Sequence, residues 1–408
     1  MWHRRLRRPG HVDGPGAKGR TLGYVVRLLA ALLLVLVPTP ARAAGGQQSW
    51  TGTWEAAPSG TAPALPGAAI RNIVHLSVGG PELRVRVTNR LGTAPLHLGA
   101  VTVALRQGQG PDAVPGTLRT ATFHRATSTT VPPGRDLLTD PVRLTVPAAA
   151  DLLVTVLTPD DSGPATQHGT ALQTSWVALV GAGHAADEDG SAYRTPISNW
   201  YYLAGVDVRG TATGSVVAFG DSLTDGHGST HDANHRWPDL LAARHRRLGV
   251  LNAGIGGNRL LRDGTGPGAL TRLDADALDR AGVRFLVVFE GVNDLNGKPT
   301  ADDVSAFADA YRTLVARAHA RHLRVVGVTL TPYAGYPAHT TAREKVRQGV
   351  NEFIRTGRAF DAVCDADAAL RDPADPVRLL PRYDPGDHLH FDDDGMRAVA
   401  DCVSRVLL

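Results

Sequence analysis

Lysine is nearly missing from this 408-residue chain: Lys18, Lys298 and Lys345 stand against 40 arginines. The arginines cluster on no single element, so the imbalance reads as a composition bias of the coding DNA. Cysteine is as scarce. Cys364 and Cys402 are the only two, which leaves room for one disulfide at most. No repeat period runs through the 45 glycines and 27 prolines, which excludes a collagen-like chain. With 43% hydrophobic and 20% charged residues, the chain is neither disordered nor a polytopic membrane protein. Its length suits two or three domains of roughly 100–200 residues.

The positive net charge is unevenly placed. Residues 1–43 carry eight Lys/Arg and one acid, Asp13, and so hold +7 of a whole-chain +4, leaving −3 for residues 44–408. A nucleic-acid partner thereby loses its electrostatic support and is not expected. The same leader has the form of a signal peptide: a basic stretch, the apolar run 28–37, then Pro38, Pro40 and the small residues of Ala41-Arg42-Ala43. The run is short for a hydrocarbon core of ~30 Å. Residues 1–43 are therefore expected to be removed on export, leaving a secreted protein with no stable membrane insertion. Export permits a disulfide between Cys364 and Cys402, and two separate buried thiols are the alternative.

Beyond the leader the hydrophobic period changes once. Residues 46–210 read as strands, with alternation at Glu82–Asn89 and short stretches at Val101–Arg106, Val142–Val146 and Asp151–Thr158. Gly/Pro turns separate them, which predicts an all-β, jelly-roll-like sandwich without catalytic residues. Residues 211–408 alternate short apolar strands with helical stretches. Strands are expected at Ser215–Phe219, Val250–Ala253, Phe285–Glu290, Arg324–Leu330 and Ala362–Asp365. Helices are expected at Trp237–Arg247, Ala269–Arg280, Thr341–Arg358, Gly395–Val406 and from a Thr300 cap to about Arg321. That order predicts a three-layer α/β/α domain around a five-stranded parallel sheet, with its site outside the carboxyl ends of the strands.

Four short blocks carry chemistry. Gly220-Asp221-Ser222-Leu223 follows the first strand and can present a hydroxyl at the sheet edge. It is not the Gly-x-Ser-x-Gly elbow, because Thr224 fills the last position. Asn252-Ala253-Gly254-Ile255-Gly256-Gly257-Asn258 follows the second strand, where glycine lets the backbone aim an N–H at a ligand. Gly291-Val292-Asn293-Asp294 follows the third and offers an amide donor. Asp387-His388-Leu389-His390 precedes the last helix and pairs an imidazole base with a carboxylate.

Taken in order, these blocks resemble those of the SGNH hydrolases, the GDSL-type lipases and esterases, over roughly residues 215–408. The resemblance implies a flavodoxin-like fold and an ester hydrolase without cofactor or metal. It implies Ser222 as nucleophile, His390 as base and Asp387 as its orienting partner. The oxyanion hole would comprise the N–H groups of Ser222 and Gly257 and the Asn293 side chain, with Gly256 the competing glycine. Val292 stands where many relatives have glycine. The N-terminal segment also resembles bacterial relatives in which a β-sandwich precedes this domain, some of them xylan-type esterases. The implied substrates are small esters or acylated polysaccharide, with lipase or phospholipase activity as the alternative. A carbohydrate-binding protein on an inactive domain is the reading from another class.

Other features have plainer expectations. His227, His231 and His235 recur every four residues, but Gly226 and Gly228 place them in a loop rather than on a metal-binding helix. Asp392-Asp393-Asp394 suits a helix start without a metal. Asp225 and Arg259 are expected to hydrogen-bond neighbouring loops, and Trp237 to lie in the core. Trp200, Tyr201 and Tyr202 fit sandwich core or an interdomain surface, with stacking on carbohydrate as a further alternative. Asp387 is expected to raise the His390 pKa above about 6.5.

Overall fold

The parallel sheet is built from five strands whose residues are apolar on both faces. A computed structural model describes residues 49–297 and 302–408. The predicted leader 1–43 and the Thr300 cap lie outside the described residues. The sheet strands are β1 (Gly214–Gly220), β2 (Leu248–Gly254), β3 (Val283–Phe289), β4 (Arg324–Val328) and β5 (Ala362–Cys364). All pair in parallel, in the order β2-β1-β3-β4-β5. This is the flavodoxin-like order, and the switch point falls at β1, between β2 and β3.

Both faces are covered. Val216 and Ala218 of β1 pack into a core with Trp237 and Leu241 of the helix Trp237–Arg244 and with Met396, Val399 and Val403 of the helix Asp393–Leu407. Val217 and Phe219 face the other way, towards Phe307, Tyr311 and Leu314 of the helix Val304–His319 and Val350 and Ile354 of the helix Thr341–Thr356. That division of alternate residues is what a parallel sheet buried on both sides requires. Trp237 is fully buried, as expected.

Three helices differ most from the bounds read in the sequence. The one expected over Trp237–Arg247 ends at Arg244, with His245 as its C-cap. Val304–His319 begins later than expected because Asp303 caps it, accepting from the Ser305 N–H. The stretch Ala269–Arg280 is two short pieces: an α-helix ends at Leu273 and a wider π-type turn runs over Asp274–Leu278.

The preceding region is β-rich and antiparallel. One sheet has the order Trp50–Glu55, Leu203–Arg209, Gly80–Thr88, Val142–Val146, with Asp136–Leu138 also paired to Gly80–Thr88. A six-stranded sheet has Ala68–His75 and Asp151–Thr158 at its centre, in full register from Asp151 opposite His75 to Thr158 opposite Ala68. Inward residues such as Val85, Val87, Val154 and Val156 fill a shared core. Trp200 and Tyr202 belong to that core, and Tyr201 packs at its edge.

The β-rich region is joined to the parallel sheet through serine hydroxyls and backbone. The single Ser215 Oγ–H is shared between the carbonyls of Gly52 (3.1 Å) and Ala281 (2.9 Å). Ser77 Oγ accepts from Val250 N–H at 2.9 Å, and Ala56 bridges in parallel to Asn252. Residues Gln47–Leu408 form one compact unit.

Cys364, ending β5, is disulfide-bonded to Cys402 in the last helix, at a sequence separation of 38. Closing a loop of that length restricts the unfolded chain. Replacing both cysteines by serine should lower the unfolding free energy by about 3–4 kcal/mol in a denaturant titration. A change below about 1 kcal/mol would mean that the bond adds little to packing already in place.

Candidate active site

Ser222 sits where β1 turns into a single helical turn, Ser222–Asp225. Asp221 caps that turn by accepting from the Leu223 N–H at 3.0 Å. As the first residue of the turn, Ser222 has no intrahelical acceptor for its own N–H. Its side chain is nearly enclosed, at 8% exposure.

His390 arrives from the segment before the last helix. Ser222 Oγ and His390 Nε2 are 2.9 Å apart, and His390 Nδ1 lies 2.5 Å from Asp387 Oδ2. The second Asp387 oxygen accepts from the N–H groups of Leu389 (3.0 Å) and His390 (2.9 Å). An ionised carboxylate only accepts, so Nδ1 carries its proton and Nε2 is free to accept from the Ser222 hydroxyl. Burial pushes the Asp387 carboxyl up, but the hydrogen bonds from His390 and the two amides outweigh it, and its pKa lies below the usual value.

His390 departs from the sequence expectation. Burial pulls its pKa down, the Asp387 hydrogen bond opposes that, and His227 adds to it; the net is downward from the ordinary imidazole value. The His227 ring is exposed and packs at 4.1 Å from that of His390. Neither burial nor this neighbour is visible in the Asp387–His390 spacing.

The glycine block after β2 forms the facing wall. Gly256 N–H donates to Asp225 Oδ2 at 2.9 Å, so that amide is committed. Gly257 has φ +79° and its N–H has no partner among the described residues. Asn293 Nδ2 donates to the Asn258 carbonyl at 3.0 Å, which holds the side chain and leaves its second N–H available. The four blocks thus meet at the carboxyl ends of β1, β2 and β3.

A buried polar layer fixes these loops. Arg272 donates to the carbonyls of Gly220 (2.9 Å) and Ala253 (2.7 Å) and to Asn258 Oδ1 (2.9 Å). Asp294 accepts from the N–H groups of Leu260 (2.7 Å) and Leu261 (3.0 Å), pinning the chain just past Asn258. Burial pushes Asp221 up to about 7, and it raises Glu290 and Asp294 as well. Arg272 is a functional support that the sequence reading missed; only its position in a helical stretch after the glycine block hinted at it.

The other singled-out residues disperse. His231 pairs with Asp232, and His235 and Thr230 with Asp393. His388 turns to Asp384 at 2.6 Å, away from Ser222's partner His390. Among the described residues, three potential metal ligands converge at one place, His227, Asp387 and His390. Two of those three are already bonded to each other. Arg259 lies against Gly264 and Gly297, and the Asp225 side chain spans two loops.

Residues 218–398 match the GDSL-like lipase/acylhydrolase family. The C-terminal part of the chain is a GDSL-like acylhydrolase domain. It makes the protein a carboxylic ester hydrolase. Solved structures similar to it include a lipase/acylhydrolase from Enterococcus faecalis, at 22% identity over 47% of this chain and 93% of that one, TM-score 0.37. An aryl esterase from M. smegmatis is 17% identical over 47% and 97%, TM-score 0.38. A carbohydrate acetylesterase from Sinorhizobium meliloti is 16% identical over 47% and 97%, TM-score 0.38. No curated protein matches the chain.

The position of His390 in the acylhydrolase site has a kinetic consequence. If His390 serves as base it must be neutral, so kcat/KM should rise with pH through a limb below the ordinary imidazole range and level off above it. His227→Gln removes the ring that packs on His390 and adds to the lowering of its pKa. The limb should move to higher pH. A limb that stayed in place, measured on one soluble ester from pH 4 to 9, would remove His227 from the account.

Proposed function

We propose that the protein is a secreted serine ester hydrolase that works through an acyl-enzyme on Ser222 and deacylates polysaccharide. The observation that supports it most is the continuous Asp387–His390–Ser222 hydrogen-bond relay, beside the unpaired amide of Gly257 and the half-used amide of Asn293. In this reading Ser222 Oγ attacks the ester carbonyl while its proton passes to His390 Nε2. Asp387 keeps the ring oriented and balances the imidazolium. The carbonyl oxygen becomes an oxyanion held by the N–H groups of Ser222 and Gly257 and by Asn293 Nδ2. Collapse expels the alcohol, which takes the proton from His390, and the acyl group stays on Ser222. Water then attacks with His390 again as base, releasing the acid.

Secretion rests on the form of residues 1–43 and agrees with the Cys364–Cys402 bond, since such bonds persist in oxidising compartments. Polysaccharide as substrate rests on the resemblance of the β-rich region to sandwich-bearing bacterial relatives. The buried Trp200 and Tyr202 side chains are occupied in packing and would not stack on sugar.

Two variants separate the roles. Asn293→Ala removes one oxyanion donor and should lower kcat by about 10²–10³-fold with little change in KM. Ser222→Ala removes the covalent route and should cost far more. A folded Asn293→Ala enzyme with parental kcat would leave Asn293 a turn residue only. Activity should persist in EDTA, and loss restored by Zn²⁺ would overturn the metal-independent mechanism. Rates on p-nitrophenyl esters of increasing chain length, beside acetylated xylan, test the substrate. A preference for long acyl chains with no acetate released from xylan would replace deacylation by lipase activity.

A further inference from the structure

The β-rich region contains no part of the Ser222–His390–Asp387 relay, yet one of its side chains touches the site's scaffold. His168 ends the strand Ala165–His168 and is 2% exposed. Its Nε2 lies 3.0 Å from Asp225 Oδ1, and its Nδ1 lies 2.7 Å from the Ala57 carbonyl. Asp225 Oδ2 in turn accepts the Gly256 N–H at 2.9 Å. A carbonyl only accepts, so Nδ1 bears a proton; an ionised Asp225 requires one on Nε2 too. Both nitrogens then donate, which makes the ring an imidazolium buried against a carboxylate. Burial opposes that charge, but Asp225 outweighs it and the His168 pKa lies above its ordinary value.

Three links therefore run from the β-rich region into the glycine block: His168 to Asp225, Asp225 to Gly256, and the chain itself to Gly257. Asp225 is also three residues past Ser222, on the same helical turn, and its N–H donates to the Asp221 carbonyl at 2.8 Å. It thus fixes the spacing between the serine turn and the amide of Gly257. Unpaired, a carboxylate 2% exposed would be costly and would seek another partner or a proton.

We infer that His168 is a positioning residue for the oxyanion hole, acting through Asp225 on the Gly256–Gly257 backbone, so that the β-rich region completes the active site. This inference rests on the serine-hydrolase reading above. The alternative is that His168 only ties the β-rich region to the chain at Ala57.

Glutamine and asparagine substitutions tell the two apart, because the Gln amide reaches the place of Nε2 and the Asn amide the place of Nδ1. The full-length protein is compared with His168→Ala, His168→Gln and His168→Asn on one soluble ester. Rates are referred to active sites titrated with a serine-directed phosphonate, so that misfolded material does not count. His168→Ala should lose about 10- to 100-fold in kcat with KM within about twofold, less than deletion of a whole oxyanion donor. His168→Gln should recover most of that loss and His168→Asn little. Asn equal to or better than Gln, or an Ala variant within twofold of the parent in kcat, overturns the inference. Ser222→Ala run alongside keeps the two readings separate: activity surviving there would sink the serine mechanism, whatever His168 does.

Discussion

At the carboxyl ends of β1 and β2 the carbonyls of Gly220 and Ala253 both meet the guanidinium of Arg272, whose Nε also holds Asn258. The serine turn, the glycine block and the π-type turn that follows the Arg272 helix are spaced by this one planar group. Its fixed fork suits the task, since three donors must reach three acceptors at set angles. A lysine would bring its three N–H groups from a single nitrogen, without the spread of the fork. The ring of Phe219 beneath it, 4.0 Å from the guanidinium, closes the remaining side.

A guanidinium this deep must be balanced, and the balance reaches into the β-rich region. Asp276 lies 3.5 Å from Arg272 and is shared with Arg280 and Arg90. Arg280 also binds Glu55 at 2.6 Å. Glu55 and Arg90 belong to strands and turns of the β-rich region, so the counter-charges of the site's scaffold are drawn from both halves of the chain. Groups in such a network are worth less to stability than their number suggests, because each was taken out of water. What they supply is a defined geometry under loops whose apolar anchors, Leu223, Ile255 and Leu260, are buried in the two cores.

Much of this was legible in the sequence. Strands β1 and β3 are apolar runs, and buried strands of parallel sheets have to be. The four chemical blocks lie directly after strands or before the last helix, where a site in this fold must form. The rest depended on distance. His168 is one histidine in a polar strand, 57 residues from Asp225, and no periodicity marks a contact made across that separation. The Asp387–His390 spacing predicts a raised His390 pKa and the structure lowers it, because spacing reveals Asp387 but neither burial nor His227. Gly256 and Gly257 could not be told apart by order alone; the carboxylate that engages the first amide and leaves the second free is a tertiary fact.

The seam between the two halves is itself a constraint on how the site can vary. A side chain at Gly249 would collide with the Gly52 carbonyl, and one at Gly52 would press on Leu251. At this place backbone meets backbone, with Gly52 N–H donating to Ala281 at 2.9 Å. Contact so close tolerates almost no sliding, because any shift stretches or breaks the hydrogen bonds made across it. The strand Trp50–Glu55 and the turn carrying Ala57 are thereby held in register against β2, whose end becomes the glycine block. A histidine anchored on Ala57 and reaching Asp225 can only hold a 3.0 Å contact if that register is fixed. The glycine pair at the seam and the buried histidine near the site are two parts of one requirement: the β-rich region has to sit in one place for the amides after β2 to do so.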